Sequence, residues 1–205
     1  MKIESFYSDY FLKFNVISTD SRKVVKDSIF ISLSGENFNG NRFASSALEN
    51  GAALAVVDDA DFFVDNGKYV LVDDSLTFLQ KLANYHRTHF NCPVLAITGT
   101  NGKTTTKELV AGALLLKFKT YYTQGNLNNQ IGVPLTLLSV NPNDAQFVVV
   151  EMGANHLTDI QELCDIAQPD YALVTSVGKA HLEGFGSIDA VVKTKTDLYR
   201  FVEKN

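Results

Sequence analysis

Val94-Leu95-Ala96-Ile97-Thr98-Gly99-Thr100-Asn101-Gly102-Lys103-Thr104-Thr105-Thr106 reads as an apolar strand, a glycine turn and the first turn of a helix. That succession cradles phosphate: glycines let backbone N–H groups close on oxyanions, and the helix N-terminus adds its partial positive charge. Lys103 is placed to reach the β- and γ-phosphates of a nucleotide, and the Thr104 hydroxyl to meet a magnesium ion. The general pattern G-x-x-x-x-G-K-[ST] wants a glycine where this chain has Ile97, so the loop is a variant form. The expectation is a nucleoside-triphosphate site.

Outward from the loop, strand and helix alternate. A helix runs to about Leu116, a strand from Thr120 to Thr123, a polar turn leads into a further segment, Ile131 to Val140, and a strand covers Gln146 to Glu151. Helix Leu157 to Ala167, strand Tyr171 to Thr175 and helix Ile188 to Val202 follow. Such alternation predicts a parallel sheet with helices on both faces. The chain ends with that last helix, so the sheet is expected to be unfinished. Upstream, His89-Phe90-Asn91-Cys92-Pro93 marks a boundary, because proline disfavours helical geometry in the residue before it. Before the boundary lie a short helix (Ile3 to Phe14), strand-like runs at 15–19 and 28–33, and a helix from Phe43 closed by Gly51. Short strands at 53–57 and 69–72 and a helix capped by Asp73-Asp74-Ser75 complete this half. The reading is an α/β protein: a small α/β domain over 1–90, then a parallel-sheet ATPase domain over 91–205 that is incomplete.

Composition bounds the partners. A net charge of −5 argues against a broad nucleic-acid surface, though not against a local phosphate pocket. Cys92 and Cys164 lack metal-ligand spacing and read as reduced thiols of a cytoplasmic protein. The N-terminus lacks a signal-peptide core, no apolar run approaches a membrane span, and a monomer is expected.

Four features downstream could carry chemistry. The run Phe147-Val148-Val149-Val150 ends in Glu151, and in open α/β sheets ligands sit at the carboxyl ends of strands. Glu151 would therefore share an edge with the glycine loop, where a carboxylate suits magnesium bridging phosphates. The turn Gly125-Asn126-Leu127-Asn128-Asn129-Gln130 could offer carboxamides to phosphate, yet on chemistry alone it reads as a surface turn. His181, in a loop after the Tyr171–Thr175 strand, could ligate a metal or be an ordinary surface histidine. Lys193 and Lys195 read as solvated helix lysines.

With these residues assembled, the chain resembles the Mur ligases, ATP-dependent amide-bond-forming enzymes of peptidoglycan synthesis. The resemblance begins at Asp20-Ser21-Arg22 and Gly35-Glu36-Asn37-Phe38-Asn39-Gly40. It is most specific at Gly99-Thr100-Asn101-Gly102-Lys103-Thr104-Thr105, the family's form of the phosphate loop. Gly125–Pro134, Glu151–His156 and His181–Ser187 are similar to members that add D-alanyl-D-alanine to UDP-N-acetylmuramoyl-tripeptide. The resemblance implies that Gly99 to Thr105 and Lys103 hold ATP, with Asn126, Asn128 or Asn129 approaching its phosphates. It implies two Mg²⁺ ions held by Thr104, Glu151, His181 and a carbamate formed on Lys195, with Lys193 excluded by register. Lys103, Glu151, His181 and Lys195 would form the catalytic set, and Asp20, Ser21 and Arg22 would bind the UDP-sugar. Ser176 stands where such ligases often have asparagine. The implied reaction passes through an acyl phosphate. The family's third domain binds the incoming amine, so these 205 residues alone are expected not to turn over. Rival readings are a ligase of the same superfamily with another acceptor, a non-catalytic nucleotide- or UDP-sugar-binding module, and a P-loop motor or switch ATPase.

Overall fold

The computed structural model describes residues 1–178 and 186–204. The chain divides into two compact units, Met1–Tyr85 and His86–Asn205.

In the first unit, residues 3–14 are helical: α1 (Ile3–Phe6) and α2 (Leu12–Phe14) flank a π-wound turn, Tyr7–Phe11. The wider turn accompanies a buried aromatic face. Phe6 packs edge-on against Phe78 at 4.8 Å and Tyr7 against Tyr85 at 5.1 Å. Four parallel strands form the sheet in the order β1 (Ile17–Ser18), β2 (Ile29–Ile31), β3 (Leu54–Val57), β4 (Tyr69–Leu71). β2 and β3 are buried throughout, as expected of central parallel strands that read as unbroken apolar runs. Helix α3 (Ala44–Glu49) packs on β3 through Ala44 and Ala47, and Gly51 turns the chain out of it at φ 109°. Helix α4 (Ser75–Arg87) starts where the Asp74 carboxylate accepts from Thr77 N, and it buries Phe78, Leu79, Leu82 and Ala83.

The second unit is built on a parallel sheet in the order β6 (Thr120–Tyr122), β7 (Phe147–Glu151), β5 (Val94–Thr98), β8 (Tyr171–Val174). Ile97 lies beside Glu151, and Thr98 beside Val174. The β5→β6 connection passes over β7, whereas β7→β8 passes over β5 the other way. Right-handed crossovers then put the two connecting helices on opposite faces. α5 (Lys103–Leu115) packs on β5, β6 and β7. α6 (Gly132–Leu138) and α7 (Asp159–Ala167) pack together, and α7 against α8 (Ile188–Lys204), which covers β8 and part of β5. The chain therefore parts between the carboxyl ends of β5 and β7, the switch point at which open parallel sheets bind ligands. Among the described residues no helix is long and apolar enough to cross a membrane.

Candidate active site

Gly99 leaves β5 at φ 148°, and a Cβ there would stand 2.0 Å from Thr175 Oγ1, so only glycine allows the loop and the β8 exit to approach. Gly102, at φ 80°, turns the chain into α5. The contact with the β8 exit is a mutual clamp. Thr100 N donates to Ser176 O (2.8 Å), Asn101 N to Ser176 Oγ (3.1 Å) and Gly178 N to Thr100 Oγ1 (3.0 Å). Thr175 Oγ1 donates to Asn101 O at 2.6 Å. Ser176 thus has a definite job, latching the tip of the phosphate loop through both its hydroxyl and its carbonyl. The Lys103 ammonium folds over the loop and donates to Gly99 O at 2.8 Å and Thr100 O at 3.3 Å.

At the neighbouring strand end Glu151 is 1 % exposed. Its N–H donates to Thr123 Oγ1 (2.9 Å), and its Oε1 accepts from Thr104 Oγ1 (3.2 Å) and Asn128 Nδ2 (2.8 Å). Oε2 has no hydrogen-bond partner among the described residues. A buried carboxylate oxygen without a partner is costly, and the ordinary ways to relieve it are protonation, water or a cation. Glu151 stands beside the first turn of α5, in contact with Thr104. Mg²⁺ commonly takes one or two carboxylates together with substrate phosphates and water rather than an all-protein cage. One buried glutamate beside Thr104 fits that donor set. Among the described residues no cluster of three or more His, Cys, Asp or Glu side chains offers a closed alternative.

The asparagine turn divides its labour. Asn128 reaches Glu151 and its carbonyl accepts from Gly153 N at 2.7 Å. Asn129 Oδ1 accepts from Ile131 N and Gly132 N, starting α6. Asn126 is exposed, as is Thr105. Gln130 Nε2 donates to Asp159 Oδ1, while Asp159 Oδ2 holds Asn155 N and His156 N, so the loops after β6 and β7 are tied together.

On α8 the two lysines part. Lys193 is exposed, but Lys195 is 3 % exposed, which corrects the reading of both as solvated helix lysines. Burial, and then the nearby charge of Lys103, push the Lys195 amine down from 10.5 to about 8. Lys195 thus stands electrostatically against the phosphate-loop lysine. His181 lies outside the described residues.

Sequence reasoning missed Lys107. It lies on α5 four residues past Lys103, is fully buried, and donates to Thr123 O at 2.7 Å.

In the first unit Asp20, Ser21 and Arg22 follow β1. Arg22 Nε and Nη2 grip both oxygens of Asp20, each at 2.9 Å, and this pairing holds the Asp20 carboxyl down at about 2. An open concavity of ≈ 720 Å³ lies at the carboxyl ends of β2 and β3, between residues 34–42 and Asp58–Ala60. Its wall is braced by Asn41, 2 % exposed, whose Nδ2 donates to Asp58 Oδ1 at 2.7 Å. Asp20, Ser21 and Arg22 do not line it, although they leave the same edge of the sheet.

Residues 97–205 match the Mur ligase middle domain, and residues 13–87 match the Mur ligase family catalytic domain. The chain belongs to the Mur ligase family. It is 39% identical over 192 residues to the UDP-N-acetylmuramoyl-tripeptide–D-alanyl-D-alanine ligase of Escherichia coli, covering 93% of this chain and 42% of that one. The Bacillus subtilis ligase of the same name is 37% identical over 183 residues, 89% of this chain and 40% of the other. Among solved structures, MurF from Acinetobacter baumannii superposes with a TM-score of 0.84 at 36% identity, over 92% of this chain and 41% of that chain. MurF from Thermotoga maritima in complex with ADP gives 0.83 at 34%, over 95% and 45%. This Mur ligase chain spans about two fifths of the length of the curated relatives it matches.

Proposed function

We propose that this chain provides the ATP-binding and UDP-sugar-binding parts of a ligase that joins D-alanyl-D-alanine to UDP-N-acetylmuramoyl-tripeptide. The observation that carries the ATP half is the buried, half-satisfied Glu151 carboxylate at the mouth of the phosphate loop. The names of the relatives at 37% and 39% identity support the choice of acceptor and amine.

In this reading the N–H groups of Gly99 to Thr105 and the dipole of α5 hold the β- and γ-phosphates. Lys103 leaves the loop carbonyls it now contacts and turns its ammonium to the triphosphate. Thr104, Glu151 and His181 would hold Mg²⁺, and Lys195, as its carbamate, would support a second ion. Bound there, the metal neutralises phosphate charge during transfer to the peptide carboxylate. Asn128 fixes the Glu151 carboxylate in place. Burial and the Lys103 charge raise the neutral fraction of Lys195, the form that reacts with carbon dioxide, well above that of a free lysine. The acyl phosphate so formed is attacked by the amine of D-alanyl-D-alanine, and phosphate leaves. Asp20, Ser21 and Arg22 take the UDP-sugar on the first unit, and the protein works as a cytoplasmic monomer.

Calorimetry tests the binding half on this chain. ATP with Mg²⁺ is expected to bind, and Lys103→Ala to weaken it at least about tenfold, as loss of a charge-assisted phosphate contact should. Unchanged ATP affinity in that variant would refute the site. Phosphate release by a protein of the relatives' full length, offered a panel of amines, tests the acceptor. A response to a diamino acid or glutamate in place of D-alanyl-D-alanine overturns the assignment.

A further inference from the structure

Lys107 is the largest polar side chain fully buried among the described residues of the second unit, with 0 % of its surface exposed. Its position falls on the inward stripe of α5, level with the buried Ala111 one turn on. An apolar residue would pack there without the cost of desolvating a cation, which is several kcal/mol in general unless every donor is paired. All three ammonium protons have acceptors in reach: Thr123 O at 2.7 Å, Gly125 O at 3.4 Å and the Glu108 carboxylate at 2.8 Å. Two of these are main-chain carbonyls of the turn that follows β6. At Thr123 the sheet ladder ends, with Thr123 N bonded to Val149 O, and beyond it the turn has no ladder partner among the described residues.

What that turn delivers is specific. Thr123 Oγ1 accepts the Glu151 N–H, and five residues on Asn128 donates to Glu151 Oε1 and receives Gly153 N on its carbonyl. Lys107 therefore grips the root of a turn whose tip orients the Glu151 carboxylate, while Thr104, on the preceding turn of the same helix, touches that carboxylate directly. One helix fixes both the loop that holds phosphate and, through Lys107, the asparagine that aims the acid.

We propose that Lys107 is a positioning residue for metal-dependent nucleotide binding, acting through the Thr123–Gly125 carbonyls to set Asn128 against Glu151. This rests on the reading of Glu151 as a metal-binding carboxylate. Partners that orient a ligating carboxylate change metal affinity by about 10–100-fold when lost. The structure thus separates two parts of ATP affinity: a metal-free part from the loop and Lys103, and a metal-dependent part that passes through Glu151.

The test is calorimetry of ATP with this chain, in chelator and in saturating Mg²⁺, for wild type, Lys107→Met, Asn128→Ala and the double variant. Lys107→Met is expected to cut the gain in affinity given by Mg²⁺ about tenfold and to leave the affinity in chelator unchanged. In the Asn128→Ala background it should cause no further loss, since both act on one path. Equal losses with and without metal, or additive losses in the double variant, would overturn the proposal. Hydrogen exchange supplies an arm independent of the metal reading: amides of 124–130 should exchange faster in Lys107→Met while those of α5 and β5 do not. Should wild type bind ATP with no metal dependence, the reading of Glu151 fails, and unchanged exchange at 124–130 would remove the Lys107 anchor as well. If Lys107→Met does not fold, Asn128→Ala decides. Release confined to residues 127–130, with Thr123 still protected by its bond to Val149 O, supports the anchor at the root, and release that includes Thr123 refutes it.

Discussion

Lys195→Met replaces a buried amine with an apolar side chain of nearly the same volume, and its effect on stability should depend on pH in a defined way. In the folded chain the amine titrates at about 8, against 10.5 for a free lysine, because burial and the Lys103 charge both disfavour the ammonium. At about 1.4 kcal/mol per pH unit, that gap is roughly 3 kcal/mol of penalty on the charged form. Below about pH 8 both folded and unfolded chains carry the proton, and the penalty is fully present. Between 8 and 10.5 the unfolded chain binds more protons than the folded one, so wild-type stability rises with pH. Above 10.5 neither is charged, and the penalty is gone. Lys195→Met carries no such dependence. It should exceed wild type at pH 7 by up to roughly 3 kcal/mol, with the advantage closing as pH approaches 10.5. The difference between the two proteins cancels the titration of groups that do not interact with Lys195. Urea unfolding followed by circular dichroism across pH 7–10, in buffer freed of carbon dioxide, measures it. Adding Mg²⁺–ATP should raise the lower edge of the window, because the phosphates offset the Lys103 charge, and leave the upper edge, set by the unfolded chain, in place. A stability difference independent of pH, or a variant less stable than wild type at pH 7, would show that the amine is not held in the environment described.

Two further outcomes test the site and its scaffold. Glu151→Gln keeps the shape and the Asn128 contact but cannot supply a charge to a cation. ATP binding in chelator should persist while the enhancement by Mg²⁺ falls at least about tenfold, measured by calorimetry, and an intact enhancement would exclude Glu151 as the ligand. Gly99→Ala places a methyl 2.0 Å from Thr175 Oγ1 at a φ of 148°. A loss of about 1–3 kcal/mol in urea unfolding is expected, partly restored by adding Thr175→Ala, and a variant as stable as wild type would contradict the clamp between the two loops.

The glycine loop and the strand ending in Glu151 were legible because both rest on local pattern. An apolar run followed by Gly-Lys-Thr specifies strand, turn and helix in one stretch, and parallel alternation forces Glu151 to the same edge. The clamp from Thr175 and Ser176 was not legible, since it depends on β8 lying next to β5, a strand order no local pattern encodes. The concavity behind Asn41 escaped for a like reason: its wall joins residues from two strand ends, 17 positions apart in sequence.

Lys107 and Lys195 show where the boundary could have been pushed. On α5 the inward positions run Lys107, Ala111, Leu114, and on α8 Val191, Lys195, Leu198, each at the helical spacing of a core stripe. A lysine at such a position has two explanations: its stem lies along apolar surface with the head in water, or the head itself is buried and held. Composition favours the first, which is why Lys195 was read as a solvated helix lysine and Lys107 was passed over. Burial of the whole side chain selects the second for both. The consequences then diverge with the neighbours. Lys107 meets two carbonyls and a carboxylate, which satisfy the ammonium and make it an anchor. Lys195 is desolvated and stands near another cation, both of which disfavour the ammonium. The same residue type in the same register is thus a paired cation on one helix and a disfavoured one on the other, and the deciding information lies in the facing elements rather than in either helix.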